Sequence, residues 1–357
     1  MLLNLFPDDF FALITFRAAM AGVVAFLASL ILGPRVIRWL KNKKIGENVE
    51  KDDSRRLDQL MKSKQDTPTM GGIFVIAGII ISALLFGNFV HPTMFILVFT
   101  VVSLGLVGAV DDWMKLSGKS HGGMKVSLKL ALQATIGLAV GIMLYLVMLR
   151  EDPENASRFY ILFDGYIELG WFYPVMVSLV IVSTSNAVNI TDGLDGLAGG
   201  CLAISTLAYT FIAYIVGRVD FTAYLGIPYV ALSAETTVFC TAMLGATLGF
   251  LWFNSHPAQV FMGDSGSLPL GGALGLVACI TKQEMLLFFV GGVFVVEAGS
   301  SLLQILSFKL TGKRIFRIAP LHHHFQFKGV QESKITMRFW IVAILLAVSS
   351  LALLKLR

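Results

Sequence analysis

The sequence predicts an all-α, polytopic integral membrane protein of about ten helices, with both termini outside the cytosol. Three observations predict it. Apolar residues make up 56% of the 357 positions and charged residues only 14%, against about 25% charged in an ordinary soluble domain. The charges are segregated: long runs carry none, and the short segments between them carry nearly all. Basic residues gather in alternate connections, the pattern that sets orientation in a membrane.

A hydrocarbon core of about 30 Å needs about 20 apolar residues in helical form. Runs of that kind lie near residues 11–33, 71–90, 93–110, 126–149, 171–188, 199–217, 230–252, 267–281, 285–308 and 336–354. Those at 93–110 and 267–281 are short. Gly71-Gly72, Gly271-Gly272 and Gly291-Gly292 predict close approach between neighbouring helices. The first run has no basic segment before it and no clear cleavage site, so it reads as a retained span. No tandem repeat or soluble segment interrupts the pattern, and residues 1–357 read as one membrane domain.

Orientation follows from lysine and arginine. The loop after the first run holds Arg35, Arg38, Lys41, Lys43, Lys44, Lys51, Arg55, Arg56, Lys62 and Lys64; the third loop adds Lys115, Lys119 and Lys125; the ninth adds Lys309, Lys313, Arg314, Arg317, Lys328 and Lys334. Alternation puts all three on one side, which is then cytosolic. The loop near 150–170 is acidic instead, with Glu151, Asp152, Glu154, Asp164 and Glu168. The net charge of +5 is explained by these loops. It does not point to nucleic acid, because no basic patch is interleaved with exposed aromatics. Cys201, Cys240 and Cys279 lie in apolar runs, are odd in number and lack metal-ligand spacing.

Five polar segments are too specific to be mere connectors: Lys64 to Gly72, Asp111 to Lys115, Asn186 to Gly196, Asn254 to Gly266, and Pro320 to His324. Each falls at the cytosolic end of a run, which predicts one shared site. Asp111-Asp112 follows an apolar run and, alone, would read as an interfacial helix end. Acids there oppose the helix dipole and repel each other, and a bound cation or a proton-accepting role would offset that cost. Asp192, Asp195 and Asp264 add three carboxylates on the same face. An oxygen-rich cluster with few protein ligands suits Mg²⁺, which keeps waters and substrate phosphates in its shell.

Thr191 to Gly196 has the flavour of a calcium loop but lacks its spacing and closing glutamate. Its glycines permit tight turns, and the following helix could face an anion. Gly263-Asp-Ser-Gly266 also surrounds the nucleophile of trypsin-like proteases, yet no His and Asp stand in the matching order here. A serine and glycine opening the eighth run could instead cap it and bind phosphate oxygens. His322, His323 and His324 are adjacent, so all three cannot easily reach one ion; a loop lining a polar site fits better, donating to phosphate or carboxylate. Lys64, Lys115 and Lys129 are cationic candidates, although any one alone reads as an interfacial lysine. Trp113, Phe261 and Trp252 border the same face, and Phe261 is placed to stack on a flat base.

The segments SKQDTPTMGG, VDDWMK, NAVNITDGLDGLAGG, NSHPAQVFMGDSGSLPLGG and TGKRIFRIAPLHHHFQFKG run in order from about residue 60 to the last span. Together they resemble the phospho-N-acetylmuramoyl-pentapeptide transferase family, within the polyprenyl-phosphate N-acetylhexosamine-1-phosphate transferases. The resemblance implies ten helices, outward termini, a homodimer, Mg²⁺ and a site on the cytosolic face of the bacterial inner membrane. It implies transfer of phospho-MurNAc-pentapeptide from UDP-MurNAc-pentapeptide to undecaprenyl phosphate, giving lipid I and UMP in peptidoglycan synthesis. The family's acidic pair matches Asp111 and Asp112, and its third aspartate matches Asp264, the implied Mg²⁺ ligand. The nucleotide pocket matches Lys64, Thr69, Asn189, Asp192, Asp195, Asn254 and Phe261; Asn186, Gly263 and Ser267 stand in the same motifs. Phe261 would stack on uracil and Asp195 would accept from its ring. The family's lysines match Lys115 and Lys129. Gln304 and the three histidines would reach the sugar-peptide side.

Three positions depart from the family: Gln326 replaces a usual Glu, Ser265 a common Thr, and Ile190 a common Leu. Gln326 removes a charge near the peptide side and leaves the peptide's third residue more open. The competing superfamily reading is GlcNAc-1-phosphate transfer for another envelope polymer. A different class, an ion-coupled transporter, would place its acids near mid-membrane and often show repeats, unlike this chain. For the transferase, catalysis would be mainly positioning and electrostatics. Direct attack by the lipid phosphate, with Asp111 or Asp112 as base, and a covalent aspartyl-phosphate route both fit the sequence.

Overall fold

The computed structural model describes residues 13–43, 64, 67–117, 123–161 and 165–356. Residues 1–12, the basic segment 44–63, Gln65, Asp66, 118–122 with Lys119, 162–164 with Asp164, and Arg357 lie outside the described residues. The elements follow the apolar runs. They are α1 (Ile14–Asn42), α2 (Gly72–Phe86), α3 (Pro92–Leu116) and α4 (Val126–Glu151). A small hairpin of β1 (Arg158–Tyr160) and β2 (Tyr166–Glu168) comes next, paired antiparallel with Phe159 opposite Ile167. Then come α5 (Tyr173–Thr191), α6 (Leu197–Val216), α7 (Val219–Leu225), α8 (Ser233–Asn254) and α9 (Asp264–Ile280). The chain closes with α10 (Leu287–Val290), α11 (Gly292–Thr311), α12 (Leu321–Phe327) and α13 (Glu332–Leu353).

Among the described residues the protein is all-α apart from that hairpin, and it is polytopic. Among the described residues, eight helices are long and apolar enough to cross a membrane: α1, α3, α4, α5 with its preceding turn, α6, α8, α11 and α13. The remaining two of the expected runs form shorter apolar helices, α2 of 15 and α9 of 17 residues.

Boundaries differ from the expected runs where polar groups extend a helix. α1 continues past residue 33 through Pro34 to Asn42; Arg35 and Arg38 donate to the carbonyls of Ile31 and Pro34 around the proline. α3 runs on to Leu116, so Asp111 and Asp112 sit inside the helix rather than after it. The ninth run breaks at Gly291 into α10 and α11. The histidines form a short helix, α12, rather than a loop, started by Pro320 at its N-terminal cap.

α9 is the axis of the bundle. Every one of its residues is buried, and it packs between α3 and α5. Two backbones approach it closely. A Cβ on Gly72 would lie 2.2 Å from Gly266 Cα, and one on Gly271 would lie 2.6 Å from the Thr184 carbonyl. The glycine pairs at 71–72 and 271–272 therefore serve helix contact, as small residues do in membrane bundles. α8 packs against α1 and α6 on the other flank.

The bundle has two polar ends. One gathers the C-terminal ends of α3, α5 and α8 with the N-terminal ends of α2, α4, α6, α9 and α13. The other holds Arg17 of α1, whose guanidinium forms a two-bond pair with Glu235 of α8 at 2.6 Å and donates to the Phe86 carbonyl at 2.8 Å. At the same end Lys282, fully buried, donates to the carbonyls of Ala156 and Arg158 and lies 3.7 Å from the Tyr173 ring centroid. Burial pulls the Lys282 amine down to about 8, against the opposing pull of Glu284, Cys279 and Asp152.

Candidate active site

Asp112 explains how α9 begins. Gly263, at φ +71°, turns the chain in a region that other residues avoid, so that α9 opens toward α3. Asp112 then accepts the amides of Asp264 at 3.1 Å and Ser265 at 2.9 Å. These are two of the unpaired donors of a helix N-terminus, where a carboxylate is favoured by hydrogen bonding and dipole together. Read as an acid at the end of α3, Asp112 looked unfavourable; its partner is the opposite pole of another helix.

Asp111, one residue earlier, faces the polar cluster. Its Oδ1 accepts the Met124 amide at 2.6 Å, and its Oδ2 meets Lys115 at 2.9 Å and Lys129 at 3.2 Å. Asp264 Oδ2 meets Lys115 at 2.8 Å and also binds Lys129. Asp264 Oδ1 accepts Asn189 Nδ2 at 2.6 Å, and the same amide reaches Ser267 Oγ at 2.8 Å. α3, α4, α5 and α9 each contribute to this one cluster. Asp111 and Asp264 are buried, whereas the Lys115 side chain is 41% exposed. Asn186, a turn before Asn189, is instead tied to Gln133 of α4 at 2.5 Å and the Val182 carbonyl at 2.8 Å.

A second cluster lies beside the first. Lys64 Nζ meets Asp195 Oδ1 at 2.6 Å and also binds Glu332, and it sits 5.7 Å from the Phe261 ring centroid. Asp195 Oδ2 accepts the Ala258 amide at 3.1 Å and pairs with His256 Nδ1 at 2.9 Å. Burial works to raise the Asp195 carboxyl, but Lys64, Ala258 and His256 outweigh it and hold the group below the ordinary carboxylate value. It is therefore ionised through neutral pH. Asn254 accepts the Gly196 amide at 3.0 Å and donates to the Val260 carbonyl at 2.9 Å. Phe261 donates its amide to the Pro68 carbonyl, and Thr69 lies against Gly263. Asp192 ends α5 as its C-terminal cap. Trp113 and Trp252 are exposed at the rim.

The histidines part company. His322 is fully buried, with Nδ1 2.9 Å from Glu297 Oε2, and its Nε2 faces Gly193, where a Cβ would lie 2.3 Å away. His323 pairs with Gln326 Oε1 at 2.7 Å. His324 accepts the Arg317 amide at 3.1 Å; burial, then Lys328 and Arg317, lower its pKa. Gln304 is engaged with its own loop: it accepts the amides of Ile315 and Phe316 and donates to the Phe316 carbonyl.

Two clusters have the ligand types for a cation. Asp195, His256 and Glu332 bring ligand atoms within 4.8 Å of one another and could hold a divalent ion. However, the Lys64 ammonium already bridges Asp195 and Glu332, and His256 offers nitrogen. Asp111 and Asp264 offer only oxygen, the donor Mg²⁺ prefers. Their positive charge comes from two ammoniums, of which Lys115 is exposed enough to swing away. Both clusters are bridged by ammoniums, and the all-oxygen pair offers the donor type that Mg²⁺ prefers.

Glu332, Glu297, His256, Thr336 and Trp340 were not among the residues expected from sequence. Glu297 did carry a signal, a lone acid inside an apolar run. Trp340 carried none, since it reads like any lipid-facing tryptophan.

Residues 94–282 of this membrane bundle match glycosyl transferase family 4, which makes the class that of a membrane-embedded transferase. Over 350 residues the chain is 46% identical to the phospho-N-acetylmuramoyl-pentapeptide-transferase of Desulfotalea psychrophila, covering 97% of this chain and 95% of that one. The same protein of Pelobacter propionicus is 45% identical over 350 residues, covering 98% and 96%. That of Thermodesulfovibrio yellowstonii is 45% identical over 349, covering 97% and 95%. The chain belongs to the phospho-N-acetylmuramoyl-pentapeptide transferase family.

Proposed function

We propose that the protein transfers phospho-MurNAc-pentapeptide from UDP-MurNAc-pentapeptide to undecaprenyl phosphate, giving lipid I and UMP in the inner membrane. The near-full-length identity to the named transferases carries this reading. The acid–lysine cluster supports it, because phosphoryl transfer asks mainly for positioning and charge. The reading counts α2 and α9 as the remaining two of ten spans in one domain, and the basic connections support a site on the cytosolic face. The family's homodimer is part of the same reading.

Lys64, Asp195, Asn254 and Phe261 bind the nucleotide, with the Phe261 ring as the stacking surface for uracil. Thr69, Asp192, Gly263 and Ser267 line the path from the base to the phosphates. Lys115 and Lys129 neutralise the diphosphate. Asp264 would hold Mg²⁺, which when bound would supply further positive charge to the diphosphate. Asp111, rather than Asp112, takes the proton from the lipid phosphate, whose second pKa is about 6 by analogy with phosphoresidues. Support for that choice is geometric: both Asp112 oxygens accept α9 amides and Oδ1 stands 3.8 Å from Lys115, whereas Asp111 Oδ2 meets Lys115 at 2.9 Å and Lys129 at 3.2 Å. His323 and His324 stand nearer the sugar-peptide side, and His322 supports the Gly193 turn.

The test is UMP release by purified protein given UDP-MurNAc-pentapeptide, polyprenyl phosphate and Mg²⁺. No release would remove the reading; release with UDP-GlcNAc would select the superfamily alternative. A burst of UMP without lipid acceptor would mark the covalent route.

A further inference from the structure

The dipeptide Asp195-Gly196 has an unusual frame. All four of its backbone polar groups bond to side chains from elsewhere in the chain. The Asp195 amide donates to Glu332 Oε1 at 2.7 Å, and the Asp195 carbonyl accepts from Thr336 Oγ1 at 3.1 Å. The Gly196 amide donates to Asn254 Oδ1 at 3.0 Å, and the Gly196 carbonyl accepts from Trp340 Nε1 at 3.1 Å. Three of the four partners lie on α13, at positions 332, 336 and 340. A spacing of four puts them on one ridge of that helix, one turn apart.

The turn's own backbone bonds, Gly193 to Thr191 and Leu197 to Leu194, leave the Asp195 amide and carbonyl to side chains. Gly196 is left-handed at φ +72°, and the chain there is leaving α5 for α6. Without α13, the buried amide and carbonyl of Asp195 would need new partners, at a cost of about 1–3 kcal/mol each, while the Gly196 carbonyl would keep the Gly200 amide at 2.9 Å. The ridge also fits by shape: a Cβ on Gly200 would lie 2.0 Å from Trp340 Nε1, so α6 meets the indole edge at a glycine. Glu332 has a second task. The same oxygen that holds the Asp195 amide binds Lys64, so one carboxylate fixes both the backbone and the cationic partner of Asp195.

We infer that Glu332, Thr336 and Trp340 of α13 are positioning residues for the nucleotide pocket, holding the Asp195 carboxylate and Lys64 in the geometry that receives the base. The inference rests on the nucleotide reading given above. None of the three reaches the acid–lysine cluster, so their loss acts on binding of the UDP-sugar and not on the chemical step.

The experiment uses the full-length protein with Thr336→Val, Trp340→Phe and Glu332→Gln, and Thr336→Ser as the conservative control. Each of the first three raises KM for the UDP-sugar about tenfold, which is about one lost hydrogen bond. In each, kcat stays within about twofold and KM for the lipid phosphate is unchanged. Thr336→Ser restores the wild-type KM. UMP binding by calorimetry separates the two layers of the argument. Wild-type protein that fails to bind UMP would break the nucleotide reading itself. Wild-type binding with equal affinity in the variants would overturn the positioning role. A loss of kcat at constant KM, or a parallel rise in both KM values, would overturn it as well. Trp340→Phe keeps most of the part-buried ring, so thermal stability near wild type is expected and is checked in the same samples.

Discussion

Arg17 and Glu235 at one end of the bundle form a closed pair, while Asp111 and Asp264 at the other share Lys115 and Lys129. The first is matched one to one, with side chains only 5% and 8% exposed, and the guanidinium's remaining reach ends on a carbonyl. In the second, one oxygen of each acid meets both ammoniums, and one ammonium remains open to solvent. A buried matched pair is costly to break and has nothing left to offer a ligand. A cluster in which two cations share two anions can exchange a partner for a substrate phosphate. Enclosure and stoichiometry together, rather than charge alone, distinguish the clamp from the site.

The comparison breaks most sharply at Asp264. Asp264→Ala is expected to lower kcat by about 10³-fold or more, from the loss of one preorganised charge at the reacting centre, and to weaken the Mg²⁺ dependence of the remainder. UMP release across a Mg²⁺ titration measures both. Retained turnover would move the metal elsewhere, with Asp195, His256 and Glu332 as the next place to look. Arg17→Met should do the reverse, costing about 3–5 kcal/mol of stability by leaving Glu235 buried and unpaired. Denaturation in detergent would register it, with KM unchanged for protein that stays folded. Adding Glu235→Leu should recover much of the loss, because a matched apolar replacement removes the buried charge.

A smaller effect tests the boundary between the two roles. Asp112→Ala removes a helix cap and should cost about 1–2 kcal/mol together with activity, since Asp264 rides on the end of α9. Asp111→Ala should lower kcat with less effect on the melting temperature. Equal stability losses would mean that Asp112 does not anchor the helix.

The smallest effect is a pH slope at the closed end. The Lys282 amine is near 8 in the folded protein, below its unfolded value of about 10.4. Between those values the unfolded chain binds more protons, so stability rises with pH from about 8 to about 10. Below 8 the native state bears a buried charge and that stability is absent. Thermal shifts of wild type against Lys282→Met over this range isolate the slope. Parallel curves would show that Lys282 does not titrate there.

Much of the fold was legible because lipid leaves a helix few alternatives. Each expected apolar run corresponds to a helix, the ninth to two, and the polar segments between them hold most of the residues that gather at one end of the bundle. What the runs did not reveal was where polar residues prolong a helix. α3 carries its acids inside its last turns because Asp112 bonds to α9, a contact with no trace in local hydropathy. The individual histidines were illegible for the same reason. His322 turns toward Glu297 and His324 toward the Arg317 amide, and only the path of the chain decides which. Glu332 and Trp340 lie 137 and 144 residues from the turn they hold, beyond any local pattern.

That separation bears on the order in which the enzyme is made. The turn at Asp195 is synthesised well before α13. A nascent chain that has inserted everything through α11 carries every aspartate and lysine of the site, yet the amide of Asp195 and the carbonyls of Asp195 and Gly196 still lack their side-chain partners. On the nucleotide reading proposed above, the frame of the pocket is complete once α13 joins the bundle. On that reading, donor binding reports on completed assembly.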